Sequence, residues 1–144
     1  MRGLSLRQAL TAIDCALGYA QQQSLPPLTI VVLDAGAHVK ASASADGSGT
    51  QRYEIALGKA SAALGMGFGT RTFSELVKKG TLPTEFSSAI NGATHGRFIP
   101  LPGGVLIFEQ GQVVGAIGIS GASSNADEEV AIAAIEQCGL TAGL

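Results

Sequence analysis

Leu6, Leu10, Ile13, Leu17 and Ala20 recur at steps of four, three, four and three, an apolar stripe at helical period behind Ser5, which suits an N-cap. The helix this predicts fades through Gln21-Gln22-Gln23 and stops at Pro26-Pro27, because proline lacks the amide that a helix needs. Leu28-Thr29-Ile30-Val31-Val32-Leu33 is a continuous, β-branched run, so it predicts a strand buried on both faces. Asp34-Ala35-Gly36-Ala37 supplies a turn, and residues 38–43 alternate as the returning strand of a hairpin. After a loop over residues 45–49, Thr50 or Gln51 opens a second helix through about Leu64, with Ile55, Ala56, Ala60, Ala63 and Leu64 as its apolar positions. Gly65-Met66-Gly67-Phe68-Gly69 breaks it. Thr70 or Thr72 then caps a short helix carrying Phe73, Leu76 and Val77, closed by Gly80, and a further helical piece runs near Glu85 to Ile90. Residues 91–96 read as loop.

Arg97-Phe98-Ile99 begins an extended segment. Val105-Leu106-Ile107-Phe108 and residues 113–119 follow as strands, with Gln110-Gly111 as a two-residue hairpin connection. Gly115 and Gly118 weaken the second of these and predict that something packs against its backbone. A last helix carries Val130, Ala131, Ala134, Ile135 and Cys138, and Asp127, Glu128 and Glu129 favour its N-terminal end. Two hairpins among helices predict an α+β domain, a mainly antiparallel sheet of about five strands flanked by helices, over the whole of residues 1–144.

Composition narrows the function classes. Apolar residues make up 46% and charged ones 14%, against roughly 25% in an average soluble protein, which excludes intrinsic disorder. Nine Lys+Arg against eleven Asp+Glu leave a net charge of −2 and no basic run, so nucleic acid is not an expected partner. No apolar stretch reaches spanning length, so no membrane partner is expected, and the charged first residues do not read as a signal peptide. Cys15 and Cys138 show neither metal nor redox spacing, which points to a reducing compartment, the cytoplasm. Twenty glycines beside few aromatic rings require elements that approach closely. So little charge on so small a domain predicts apolar surface buried between subunits, a homo-oligomer.

Nucleotide-binding, serine-hydrolase, zinc-protease and thiol-redox motifs are all absent. His95, in the loop Thr94-His95-Gly96-Arg97, offers an imidazole for metal ligation or proton transfer, or is simply a surface residue. His38 stands beside a tight turn. Lys59, a lone cation among small apolar residues, either snorkels to solvent or points at an anionic group. Asp46 suits turn formation and Asp127 helix capping.

Several ordered segments carry a resemblance: Val31-Val32-Leu33-Asp34-Ala35-Gly36-Ala37-His38-Val39, Asp46-Gly47, Ile55-Ala56-Leu57-Gly58-Lys59-Ala60, Pro100-Leu101-Pro102-Gly103-Gly104-Val105, Gly115-Ala116-Ile117-Gly118-Ile119-Ser120-Gly121 and Asp127-Glu128. Together they resemble the GlcG/HbpS-like haem-binding family, which includes the C-terminal domain of PduO-type cobalamin adenosyltransferases. The resemblance implies a five-stranded antiparallel sheet flanked by helices, PAS- or profilin-like, in homo-oligomers from dimer to octamer. It also implies a haem or corrinoid-type ligand, with haem degradation or redox sensing in some members. The chain departs from the pattern where some relatives place an iron-ligating histidine on the first helix: Tyr19 stands there instead, and tyrosinate is a ligand of ferric haem. Ser44-Ala45 replaces an Arg-Met pair and Leu106 a proline.

The leading expectation is therefore an oligomeric small-molecule-binding protein for haem or a related tetrapyrrole, with its pocket between the second helix and the loops that follow. Lys59, Arg97, His38, Tyr19 and Asp46 would face the cofactor, and His95 would be a ligand to haem iron. The alternative is a small enzyme with no cofactor, a lyase, isomerase or hydrolase of an acidic organic metabolite. There His95 is the acid/base, Lys59 or Arg97 holds a carboxylate, and Glu54 or Asp46 orients the catalytic group. A third reading is an assembly subunit without a ligand.

Overall fold

The computed structural model describes residues 3–144. Its elements run α1 (Leu6–Gln22), β1 (Thr29–Asp34), β2 (Val39–Ser44), α2 (Arg52–Met66), α3 (Thr70–Lys78), α4 (Thr84–Ala93), β3 (Gly104–Glu109), β4 (Gln112–Ser120), α5 (Ser124–Gln137) and β5 (Thr141–Gly143). The strands form one antiparallel sheet in the order β2-β1-β4-β3-β5. This is the α+β architecture expected from the two hairpins. The fifth strand is the C-terminal Thr141–Gly143 on β3; the extended segment at 97–99 lies outside the sheet and passes beside α2, the Ile99 amide donating to the Gly58 carbonyl.

Both faces of the sheet are covered, which is why β1 reads as a continuous apolar run. Ile30, Val32, Val105, Ile107, Ile117 and Ile119 point into a cluster completed by α1 and α5. Val31, Leu33, Leu106 and Ala116 point the other way, against Ala56, Leu57, Ala60 and Ala63 of α2. Phe73, Phe98 and Ala62 build a smaller cluster at the α3–α4 end, with the Phe73 and Phe98 rings edge to face at 5.1 Å.

Ser5 caps α1 as expected and forms a reciprocal capping box with Gln8. The apolar stripe holds only in its second half, where Ile13 and Ala20 are buried and Leu17 packs beside the core. Ala9, Ala12, Ile13, Ala16 and Ala20 face the core, whereas Leu6 and Leu10 are about half exposed. α4 also runs through Gly92, where a loop was expected, because Thr94 Oγ1 donates to the Ile90 carbonyl and Asn91 Nδ2 to the Phe98 carbonyl, holding its last turn. The Gln110-Gly111 connection has both residues at positive φ, 52° and 77°, the twist a two-residue hairpin requires.

Cys15 and Cys138, remote in sequence, meet where α1 packs on α5. Burial first, then the charge and hydrogen bonding of Cys15, push the Cys138 thiol up to about 11. At pH 8 its thiolate fraction should fall to roughly a thousandth. Iodoacetamide labelling followed by mass spectrometry is expected to modify Cys138 far more slowly in the native protein than in urea; equal rates would contradict this packing.

Candidate functional site

Lys59 projects from the middle of α2 into the interior, 2% exposed. Its ammonium donates to the Ile119 carbonyl at 2.9 Å and to Asp127 Oδ2 at 3.1 Å, and Asp127 Oδ1 accepts the Ala122 amide at 3.0 Å. Burial pushes Lys59 below its ordinary range and Asp127 above its own, and the attraction between them opposes both shifts. Both Asp127 oxygens accept hydrogen bonds, the pattern of an ionised pair. The anionic group that Lys59 points at is thus the chain's own carboxylate. Asp127 is not the cap of α5 either; Ser123 is, accepting the Ala126 amide.

Arg97 lies elsewhere. It borders a hollow of about 230 Å³ between the C-terminal half of α2, α4 and the loop before β3. Ala37, Gly65, Met66, Ile90 and Phe98 make its walls apolar; Ser61, Thr94 and Arg97 are its polar members. The hollow lies behind the second helix and its following loops, and of the groups expected there it holds Arg97 alone. His95 sits next to Thr94 on an exposed turn with φ 55° and does not line the hollow.

Across the β1–β2 turn a second hollow of about 360 Å³ is bordered by Gly3, Leu4, Asp34, His38 and Lys40. His38 is 82% exposed, with Nδ1 3.3 Å from Asp34 Oδ1. That oxygen also accepts the Gly36 and His38 amides at 2.9 and 3.0 Å, and these backbone bonds, His38 first, hold the Asp34 carboxyl below its usual range. Asp46 borders a third hollow, formed by Leu17, Leu25, Pro26 and Pro27, and Tyr19 packs half-buried beside the core near that end of α1. The expected cofactor-facing residues therefore fall into separate places: Arg97 at one hollow, His38 at another, Asp46 at a third, Lys59 inside. Glu54 is exposed on α2, and Glu54, Lys59 and His95 line none of these hollows.

A second ion pair was not foreseen. Arg71 Nε donates to Glu128 Oε1 at 2.7 Å and its Nη2 to Asn125, tying α3 to the first turn of α5. The acidic start of the last helix was visible in the sequence, but its basic partner on another helix was not. No candidate cluster of three or more metal-ligating side chains occurs among the described residues, and none of their helices is long and apolar enough to cross a membrane.

Comparison with known proteins agrees with this architecture. The family model described as haem degrading protein HbpS-like matches residues 4–136. No functionally curated protein matches the chain. Among solved structures, a PduOC:heme complex superposes with a TM-score of 0.87 at 23% identity, covering 99% of this chain and 100% of the other. The Klebsiella pneumoniae protein ORFY gives 0.86 at 22% identity, covering 96% and 92%. HbpS gives 0.79 at 25% identity, covering 95% and 91%.

Proposed function

Because this chain belongs to the HbpS-like family of haem-degrading proteins, we propose that it binds haem or a related tetrapyrrole, as a homo-oligomer in the cytoplasm. The observation that carries this reading is the hollow between α2 and α4: apolar walls from Met66, Ile90 and Phe98 with one cation, Arg97, among its lining residues. A porphyrin asks for that combination, an apolar surface for the ring and a guanidinium for a propionate. At about 230 Å³ the hollow is smaller than the ~300–1,000 Å³ of enclosed ligand sites, so it suits one edge of the ring, with the remainder covered by a second subunit.

Met66 supplies a thioether within the hollow, and His95 an imidazole beside Thr94; both are donor types that hold haem iron. Bound haem would bring a redox-active iron. The chain's own part would be to exclude water with Phe98 and Ile90, to neutralise a propionate with Arg97, and to offer the Met66 thioether from the wall and the His95 imidazole from the exposed turn beyond Thr94. Lys59 has no part in it, since Asp127 already compensates its charge.

Haem titration followed in the Soret region tests the reading. The native chain is expected to give a saturable shift, and Arg97→Ala to weaken binding by about tenfold, one charge-assisted hydrogen bond. Gly65→Leu should block the site, because the space beside Gly65 is open and the new side chain would fill the hollow without straining α2. No Soret change, or tight binding that survives Gly65→Leu, would refute the assignment. His95→Ala is expected to move the Soret maximum, and an unmoved maximum would remove His95 from the iron ligands.

A further inference from the structure

The outer face of α1 carries more apolar surface than a solvent-facing helix needs. Leu6 is 53% and Leu10 48% exposed, while the helix meets the core mainly through alanines. Leu6, Arg7, Leu10, Thr11 and Asp14 border a shallow hollow of about 490 Å³ on this face. Arg7 and Asp14 take part in none of the ion pairs among the described residues, which are His38–Asp34, Lys59–Asp127 and Arg71–Glu128. They stand seven positions apart, about 10 Å along the axis, too far to pair with each other.

Their arrangement is self-complementary. The midpoint between Arg7 and Asp14 falls between Leu10 and Thr11. A two-fold axis through that point, with the helices antiparallel, sets each Arg7 opposite the partner's Asp14 and each Leu10 against the partner's Leu10 and Thr11. Gly18, with open space where its Cβ would stand, leaves room at the end of the contact. We propose that this face of α1 docks a second copy of the chain, antiparallel across a two-fold axis, with reciprocal Arg7–Asp14 pairs flanking a leucine seam. A lipid surface fits it poorly, since an interfacial helix carries a rim of several Lys or Arg and this face has Arg7 alone.

The proposal deepens the oligomer reading and is independent of haem. Light scattering with size exclusion, on protein without added ligand, reads it directly, so a failed haem titration leaves it intact. The native chain is expected to self-associate, and Arg7→Asp or Asp14→Arg alone to weaken this contact by on the order of 10- to 100-fold, because each creates two like-charged pairs per interface. An equimolar mixture of the two single variants should re-form the native species: one chain then carries two acids and the other two bases, so both pairs return. The double swap, Arg7→Asp with Asp14→Arg, should associate by itself. Circular dichroism checks that each variant remains folded, and Leu10→Glu gives an independent dissociating change. A monomeric native chain, which would leave the face to another partner, overturns the proposal. So do single variants of unchanged mass, or a mixture that stays dissociated.

Discussion

Asp127→Ala is expected to cost the fold about 3–5 kcal/mol, the loss that follows when one member of a buried ion pair is removed and the other stays charged in the interior. Lys59 would keep only the Ile119 carbonyl, and the Ala122 amide would lose its acceptor. The effect spreads because the pair joins α2, the end of β4 and the first turn of α5 at one point. Asp127→Asn should be milder, since its amide still offers the Ala122 amide an oxygen. Replacing both charges, Lys59→Met with Asp127→Leu, should cost less than either single change, because no lone charge is then buried. Urea unfolding of the native chain, Lys59→Met, Asp127→Leu and the double variant measures the cycle, with Asp127→Ala and Asp127→Asn read beside it. An Asp127→Ala chain within about 1 kcal/mol of the native one would show that the pair is no internal clamp, and would return Lys59 to a ligand-facing role.

That prediction also shows where reading the sequence stops. Lys59 is conspicuous among alanines, and an anionic partner is the natural inference. The partner lies 68 positions away on another helix, and nothing local to α2 distinguishes a bound carboxylate from the chain's own. The same limit hides Arg71–Glu128 and the meeting of Cys15 with Cys138. Local signals fared better. The β-branched run of β1, the Gln110-Gly111 hairpin and the Ser5 cap each depend on residues a few positions apart, and each is present. α1 is intermediate: its period was legible, and its phase held at Ile13, Leu17 and Ala20 but not at Leu6 and Leu10. Leucine outranks alanine on any hydrophobic scale, yet α1 turns Ala9, Ala12, Ala16 and Ala20 with Ile13 to the core and leaves Leu6 and Leu10 outward. β5 is three residues long and exists through its pairing with β3, so no periodicity could announce it. For the candidate site, Arg97 borders an apolar hollow behind α2, while the other candidate groups lie apart because turn and helix geometry aim them at different faces.

The glycines of β4 had the most legible consequence, and Gly118→Ala tests it. A strand buried on both faces gains from every side chain it packs, so glycine there marks a neighbour too close for one. Gly118 faces α2: an added methyl would run into the Ala56 carbonyl and stand 2.9 Å from the Ala60 amide nitrogen. Gly104, its register partner on β3, faces the Lys59 carbonyl in the same way, so the two glycines form one slot across adjacent strands into which the backbone of α2 settles. Gly118→Ala is expected to cost at least about 3 kcal/mol, the upper part of the range for overpacking, because both sides of the clash are hydrogen-bonded backbone that no rotamer change relieves. Lifting α2 would also separate Lys59 from the Ile119 carbonyl, so the mutant should lose the clamp and the slot together. Gly92→Ala is the control. It lies inside α4 with nothing near its Cβ, and should stabilise by about 0.5–1 kcal/mol, the ordinary helical preference for alanine. Denaturant midpoints decide the matter: Gly118→Ala unfolding beside the native chain would mean that α2 does not rest on the strand backbone, and the hollow along its far side would then lack a fixed wall.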